Sequence, residues 1–299
     1  MEKTAMEWIL FALSLAALLH CLRLIYPYTR FSRKKSLTFK GETTRQQQLS
    51  LLSANVYMHN SNYNALLELV QDKNPDIILL LECDDKWLNA VDTQLRNTHP
   101  FSIRHPLPNT YGILFYSKYS LKEAKVQFLV EDDVPSVHTI IVVENGLKVQ
   151  FFGLHPKPPT PGENYKSLAR DAELVTIGRQ AKASGLPCIV AGDLNDVAWS
   201  HTTRLFTRIS GLLDPRVGRG FFNTFNAHWP LLRWPLDHFF LDYNFKVRSI
   251  ERLENFGSDH FPIYIDLVYE PDEDAYASRE VPDLADRIET YEIIDKADL

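Results

Sequence analysis

The chain has 299 residues, 45% of them hydrophobic and 23% charged, with a formal net charge of −6. That is an ordinary globular composition with room for one large domain or two smaller ones, and it excludes a strongly basic nucleic-acid surface spread over the whole molecule. Three cysteines, Cys21, Cys83 and Cys188, give neither a disulfide framework nor zinc spacing. The charge is uneven: residues 1–48 hold eight Lys/Arg against three Asp/Glu, and residues 271–299 hold three against ten.

Residues 8–26, from Trp8 to Tyr26, are the one strongly apolar stretch, with 15 uncharged residues from Trp8 to Leu22. Including Arg23, whose long stem can reach the headgroups, it approaches the length of a spanning helix, with Trp8, Tyr26 and Tyr28 as interfacial anchors. A cleaved signal peptide fits less well. Glu2 and Glu7 accompany a single Lys3 before the run, and no small-x-small cleavage site follows it. Residues 1–28 are therefore expected to form a membrane anchor, with a cleaved signal-like helix or an interfacial helix as the alternatives. Arg30, Arg33, Lys34 and Lys35 follow it, and the positive-inside rule places the rest on the cytoplasmic side, with a periplasmic or extracellular placement as the alternative. Residues 29–48 read as a basic and polar linker, ending in Gln46-Gln47-Gln48.

From residue 49 strands and helices alternate. Leu49–Val56 reads as a strand carrying Asn55 near its end. Tyr63–Lys73 has helical spacing and stops at Asn74-Pro75. Asp76–Glu82 is a short apolar run with a carboxylate at its tip, as a fully buried strand would be. A second helix follows over Asp85–Arg96. Tyr111–Ser117, Lys125–Val130, His138–Val143 and Lys148–His155 read as strands, and Pro156, Pro158, Pro159 and Pro161 end the last of them. Glu163–Ser184 is the longest helical pattern. Pro187–Gly192 is a buried strand running into Asp193, and Ser200–Ile209 a helix. Leu236–Leu241, Phe245–Arg252 and Pro262–Val268 are the last strands. The acidic tail, residues 271–299, has helical character over Leu284–Ala297 but no evident surface to pack on.

Polar groups gather at strand ends, where they can reach a shared rim without being stranded in a core. Glu82, Asp193, Asp237 and Asp259 each stand beside an apolar strand, and together they repel unless cations or protons compensate. Oxygen donors without zinc spacing favour a hard ion, Mg²⁺ or Mn²⁺, which holds few carboxylates, several waters and a substrate phosphate. His155 and His260 can donate to a phosphate oxygen or act on a water. Hydrolysis of a phosphate ester is the chemistry this donor set suits.

Asn55, Glu82, His155, Gly192-Asp193-Leu194-Asn195, Asp237 and Gly257-Ser258-Asp259-His260 occur in the order of the endonuclease/exonuclease/phosphatase superfamily, which residues 49–270 resemble. The Leu154-His-Pro-Lys-Pro-Pro159 segment and the apolar N-terminus look closest to membrane-attached bacterial members. The resemblance implies an α+β fold: a two-sheet β-sandwich flanked by helices on both faces, in four layers α/β/β/α, with the apolar helix before it. It implies that Glu82 is the main metal carboxylate, with Asn55 and Asp259 as further ligands for one or two ions. It gives Asp193 the attacking water, Asn195 the water or a phosphate oxygen, and His260 the scissile phosphate. Asp237 then fixes the tautomer of His260, and His155 binds phosphate or acts as general acid.

Each assignment has a plainer rival. Gly-Asp-x-Asn is good turn chemistry, Glu82 can cap the next helix together with Asp84, and Asp237 can pair with a surface His238. The loop Asn226–Pro235 runs into Asp237, so Trp229, Arg233 and Trp234 are candidate substrate contacts, as is Lys157 in a basic collar with Lys166 and Arg170. The substrate is a phosphodiester or phosphomonoester on a lipid headgroup, a nucleotide or nucleic acid. A nuclease is the alternative function, and a catalytically silent membrane-bound binding domain or an unrelated β-sandwich adhesin are the non-enzymatic ones. Nothing in the sequence implies an obligate protein partner.

Overall fold

The computed structural model describes residues 4–42, 47–159, 164–271 and 280–297, without the side chains of residues 164–166. Helix α1 (Ala5–Ile25) is followed by β1 (Gln48–Asn55), α2 (Tyr63–Lys73), β2 (Ile77–Leu81), α3 (Asp85–Thr98), β3 (Phe101–His105), β4 (Ile113–Ser117), β5 (Ser120–Gln127), β6 (Ser136–Val142) and β7 (Lys148–Leu154). Then come α4 (Asn164–Ala183), β8 (Cys188–Asp193), α5 (His201–Ser210), β9 (Asp237–Leu241), β10 (Phe245–Arg252), β11 (Ile263–Tyr269) and α6 (Leu284–Lys296).

The strands form two mixed sheets, one ordered β10-β11-β1-β2-β4-β3 and the other β5-β6-β7-β8-β9. Strand alternation divides each sheet into two faces. In β1 and β2, Leu49, Leu51, Ile77, Leu79 and Leu81 point inward to meet Val149, Phe151, Ile189 and Phe239 of the other sheet. Leu52, Ala54, Ile78 and Leu80 point outward onto Trp87, Val91 and Leu95 of α3 and Leu66 and Val70 of α2. On the far side Phe152, Leu154, Val190 and Phe240 pack on Leu174 and Ile177 of α4 and Phe206 of α5. With both faces covered, β2 is buried at every residue, which is why it reads as an unbroken apolar run. The four layers expected from the resemblance are present.

Local signals set the element ends. Asn74 takes a left-handed conformation (φ 44°) and closes α2, and Asp84 accepts from the Lys86 and Trp87 amides to cap α3. Ser200 caps α5. Three segments differ from the sequence reading. β3, Phe-Ser-Ile-Arg-His, is an edge strand too polar to stand out. β5 begins at Ser120, because its exposed charges, Lys122, Glu123 and Lys125, mask the alternation. Residues 36–39, expected as linker, are pinned to β10 by Phe39 N–Val247 O and Val247 N–Leu37 O hydrogen bonds of 3.0 and 2.8 Å.

The acidic tail also finds a surface. Ile293 and Ile294 of α6 pack against Val175, Leu205 and Ile209, and Asp286 receives both Arg208 nitrogens at 2.9 and 2.8 Å. The partner faces lie on α4 and α5, far upstream in the chain, so the tail's own pattern does not reveal them. Helix α1 begins at Ala5, three residues earlier than the apolar run, because Thr4 and Glu7 form a capping box. It buries no residue against the domain. By length and composition the span Ala5–Tyr28 can cross a membrane.

Candidate active site

Topology alone brings the polar strand ends together. β1 and β2 are parallel with Asn55 opposite Leu81, so Asn55 and Glu82 leave the first sheet at one rim. β7 and β8 are parallel with Leu154 opposite Gly192, which puts His155 and Asp193 side by side. β9 runs antiparallel to β8 and starts where β8 ends, Asp237 opposite Asp193. β11 is antiparallel to β1, so His260, just before it, arrives at the same edge. The close approach of β8 to β7 needs glycine at position 192: its φ is +143°, and a Cβ there would stand 1.9 Å from the Leu154 carbonyl oxygen.

At the centre lies Asp193 Oδ2, 3.5 Å from His260 Nε2 and 3.8 Å from His155 Nε2. His260 Nδ1 donates to Asp237 Oδ2 at 2.8 Å, which turns Nε2 toward the cleft. Asn55 Nδ2 bridges the two sheets, donating to Glu82 Oε1 at 2.8 Å and Asp193 Oδ2 at 3.1 Å, while its Oδ1 accepts from the Tyr57 amide at 3.0 Å. The Asn195 amide donates to Asp193 Oδ1 at 3.0 Å, and the Asn195 side chain reaches Pro156 O at 2.9 Å. Ser258 Oγ donates to Asn55 O at 2.8 Å and accepts from His260 N at 3.0 Å, tying the last turn to the end of β1. Glu82 (φ 61°) and Asn195 (φ 50°) are both in the left-handed region, which is sterically costly for a glutamate by roughly 1–2 kcal/mol. The surrounding hydrogen bonds hold them there. Glu82 caps nothing; Asp84 does that alone.

These groups surround a cleft of about 380 Å³ lined by Glu82, Tyr111, His155, Asp193, Asn195, Asp259 and His260, with Phe225 and Leu236 on its apolar side. Burial by itself would raise the Asp193 carboxyl, but the His260 and His155 imidazoles, with the Asn195 and Asn55 hydrogen bonds, outweigh it and hold it below the ordinary range. Asp237 is pushed up by burial and by the Asp193 charge, only partly offset by His260. Burial opposes charge on His260, but Asp237 and Asp193, with the hydrogen bond His260 donates to Asp237, overcome it and raise the imidazole to about 10. The site thus favours an ionised Asp193 beside a protonated His260.

A divalent ion has a fitting donor set here. Asp259 Oδ1 is buried without a hydrogen-bond partner, and the Glu82 carboxylate shares the cleft with it. An orphaned buried carboxylate oxygen is costly unless a cation meets it, and oxygen donors suit Mg²⁺ or Mn²⁺. Ligand atoms of Asp193, Asp237 and His260 also lie within 4.8 Å of one another. In that trio His260 Nδ1 and Asp237 Oδ2 already pair, whereas Asp237 Oδ1, like Asp259 Oδ1, is buried without a hydrogen-bond partner.

Other candidates lie elsewhere. Lys157 is bound by Asp133 at 2.8 Å and Glu131 at 3.2 Å, so its charge is neutralised rather than offered to substrate; both acids come from the turn after β5, which the collar reading left out. Arg170 is buried and braces the site from behind, donating to Asn195 O at 2.9 Å and to Asp171. The Lys166 side chain is outside the described residues. Trp229 and Trp234 are 64% and 47% exposed and stand on the rim outside the cleft. Arg233 lies over the Phe261 ring and donates to Ala227 O.

His238 is fully buried rather than at the surface. Its Nδ1 accepts from Arg216 at 2.6 Å, and its Nε2 donates to Asp196 O at 2.8 Å. Burial and the neighbouring Arg216 charge hold it well below the ordinary imidazole range, hence neutral. Arg216, itself buried, is paired with Asp214 at 2.7 Å and donates to Asp237 O at 3.2 Å. This Asp214–Arg216–His238 brace fixes the start of β9 against the turn carrying Asp193, and the sequence carries no signal for it beyond an Asp-Pro-Arg that reads as a surface turn.

Carboxylates and imidazoles on the common rim of two packed mixed sheets define a phosphoesterase-type sandwich enzyme. Residues 52–260 match the family model described as the Endonuclease/Exonuclease/phosphatase family, and the chain belongs to that family. Its members are metal-dependent phosphoesterases and nucleases, and the chain is a hydrolase acting on phosphate ester bonds. No curated protein sequence matches it. Among solved structures, D. rerio TDP2 complexed with single strand DNA product is 15% identical with a TM-score of 0.63, over 74% of this chain and 98% of that one. An endonuclease/exonuclease/phosphatase family protein from Bacteroides thetaiotaomicron is 19% identical (TM-score 0.62, 75% and 98%). The human Nocturnin catalytic domain with bound sulfate anion is 17% identical (TM-score 0.61, 76% and 96%). At these identities the likeness is one of fold.

Proposed function

We propose that the chain is a membrane-tethered phosphoesterase that hydrolyses a phosphodiester or phosphomonoester by attack of a water oriented at Asp193. The observation that carries this reading is the Asp193–His260–Asp237 arrangement. The ionised Asp193 accepts the proton of the attacking water. Protonated His260, oriented by Asp237, donates from Nε2 to a phosphate oxygen as charge builds there. His155, whose Nε2 is 3.8 Å from Asp193 Oδ2, is assigned to a second phosphate oxygen or the leaving oxygen. Asn55 keeps Glu82 and Asp193 apart by donating to both, and Asn195 fixes Asp193 through its backbone amide. Glu82 and Asp259 would hold a Mg²⁺ or Mn²⁺ ion, which when bound neutralises the phosphate charge. Helix α1 is the tether, with the catalytic domain on the cytoplasmic side.

The test is hydrolysis of a chromogenic phosphodiester in Mg²⁺, Mn²⁺ or EDTA. Turnover is expected to need the ion and to fall by about 10³-fold or more in Asp193→Ala. Metal-independent turnover, or wild-type rates in Asp193→Ala and His260→Ala, overturn the reading; no turnover on any phosphate ester favours the silent binding domain. A nuclease is the second reading, motivated by the TDP2 neighbour solved with a DNA product; single-stranded and plasmid DNA are its substrates in the same assay. A reporter fused after Lys40 tests sidedness, and an externally active reporter reverses it.

A further inference from the structure

Burial is inverted along one side of the cleft. The loop after Phe225 carries Trp229, Leu231, Leu232 and Trp234 to solvent, Leu231 with 95% of its surface exposed. Scattered exposed apolar residues are ordinary, but four within six residues make a patch, and such patches mark interaction surfaces. The loop is held out rather than loose. Thr224 N and Phe225 N both donate to Trp234 O at 3.0 Å, and Ala227 N donates to Asp259 O at 2.6 Å. Its base is therefore fixed to the turn that carries the site's own carboxylate.

The same face continues to the end of α1. Arg233 and Arg252 lie 4.8 and 4.3 Å from the Phe261 ring centroid. Their other hydrogen bonds go to the carbonyls of Ala227 and Asn223, so among the described residues neither guanidinium meets a carboxylate. Arg252 then borders a cleft of about 680 Å³ shared with Tyr28, Arg30, Phe31, Phe221 and Phe222, the residues at which α1 enters the domain. Gly218 N donates to Pro27 O at 2.8 Å and fixes that entry. A continuous surface thus runs from the end of an apolar helix, past arginines and aromatics, to the apolar loop at the mouth of the site.

We propose that this face docks on an anionic bilayer surface, with Trp229, Leu231, Leu232 and Trp234 inserted at headgroup depth and Arg30, Arg233 and Arg252 meeting anionic headgroups. Tryptophan and leucine beside arginines that meet no carboxylate among the described residues match the interface between water and anionic lipid. Continuity with α1 gives the membrane as occupant rather than a protein. The active-site mouth then faces the headgroup layer, and the substrate is a phosphate ester carried there. This rests on the tethered phosphoesterase reading, and each part fails separately.

The full chain, with Cys21→Ser and Leu231→Cys, is labelled at position 231 with an environment-sensitive fluorophore, since Cys83 and Cys188 are buried. It is then placed with vesicles of phosphatidylcholine alone or mixed with phosphatidylserine. A blue-shifted emission that deepens with phosphatidylserine is expected. Resistance to alkaline extraction reports the tether independently, and turnover of a soluble phosphodiester reports the chemistry. A label that emits as in water with both vesicles overturns the docking, whether or not the chain inserts. A larger shift with a single-stranded oligonucleotide than with vesicles also overturns it and assigns the loop to nucleic acid. In the paired variant Leu231→Asp/Leu232→Asp, hydrolysis of a vesicle-borne phosphodiester is expected to fall about ten-fold relative to the soluble one, a difference of about 1.4 kcal/mol. An unchanged ratio overturns the link to substrate.

Discussion

The cleft and the loop beside it are opposites joined by backbone hydrogen bonds, Ala227 N to Asp259 O and Phe225 N to Trp234 O among them. In the cleft, Asp193, Asp237, His155 and His260 are each less than 5% exposed; in the loop, tryptophans and leucines stand in solvent. Either inversion is costly for folding alone: buried charge loses hydration, and exposed apolar surface forgoes burial worth roughly 25 cal/mol per Å². The cleft offsets much of its cost internally, through Asn55, the Asn195 amide and the imidazole–carboxylate pairs, and leaves Asp259 Oδ1 and Asp237 Oδ1 for a cation to meet. The loop has no such internal compensation, and the docking proposed above would supply one. A polar inversion whose charges face one another across a cleft marks chemistry, and an apolar one left in solvent marks contact.

The largest expected effect removes the internal compensation at its pivot. Asp237→Asn keeps the shape but replaces the acceptor that orients His260 Nδ1. The imidazolium loses the carboxylate that most favours its charge, so its raised pKa should drop well below about 10. We expect kcat to fall about 10²–10⁴-fold, with a far smaller change in KM. The drop in the His260 pKa, followed by NMR of the ring protons, separates a tautomer effect from simple misfolding.

Next is the brace behind the site. Arg216→Met leaves Asp214 buried without its cation, and unpairing a buried ion pair costs about 3–5 kcal/mol. Denaturant unfolding should show that loss. Soluble-substrate turnover in the surviving folded fraction should fall too, because the Asp237 backbone loses a donor. The exposed loop should behave in the opposite way: Leu231→Asp/Leu232→Asp is expected to leave unfolding within about 0.5 kcal/mol of wild type while changing contact with vesicles. If the loop variant unfolds easily and the Arg216 variant does not, the contrast between the two regions collapses.

The fold and the site were legible in the sequence to different depths. Strand tips such as Glu82 after Asp-Ile-Ile-Leu-Leu-Leu, and Asp193 after Cys-Ile-Val-Ala-Gly, stand out because a strand buried on both faces writes itself as an apolar run that ends in a polar residue. Their convergence depends on which strands pair, and that is not local information; the ordered motifs of the family supplied it. Partners brought from afar stayed hidden for the same reason. Lys157 looks free until Glu131 and Asp133 fold onto it, His238 looks peripheral until Arg216 reaches it, and the tail looks unpartnered until α4 and α5 present Val175 and Leu205. The exposure of Leu231 was equally invisible, since a Trp-Pro-Leu-Leu-Arg-Trp run has the composition of a core segment.

Glu173 is the case that tests whether polar inversion by itself signals function. It lies on α4, buried to 4% exposure, and its Oε1 has no hydrogen-bond partner. Burial, with a small contribution from Glu131, raises its carboxyl to about 8. Unlike Asp193 it has no imidazole or amide to hold the charge, and it does not line the cleft. In the unfolded chain a glutamate ionises near its ordinary value of about 4.3. Between that pH and about 8 the unfolded state therefore releases a proton that the folded state keeps. Stability from this group is full below the lower pH and declines through the window, reaching its lowest level above about 8. Glu173→Gln removes the titration, so the variant should gain stability over wild type as pH rises from 5 to 8, by a few degrees in Tm at the upper end, with a gain of roughly 1 kcal/mol worth about 2–4 °C. Turnover of a soluble phosphodiester should not change. A Tm difference independent of pH would mean that Glu173 is compensated in solution, whereas a loss of turnover would place this buried carboxylate in the working site after all and undo the distinction between polar groups gathered at the cleft and one stranded away from it.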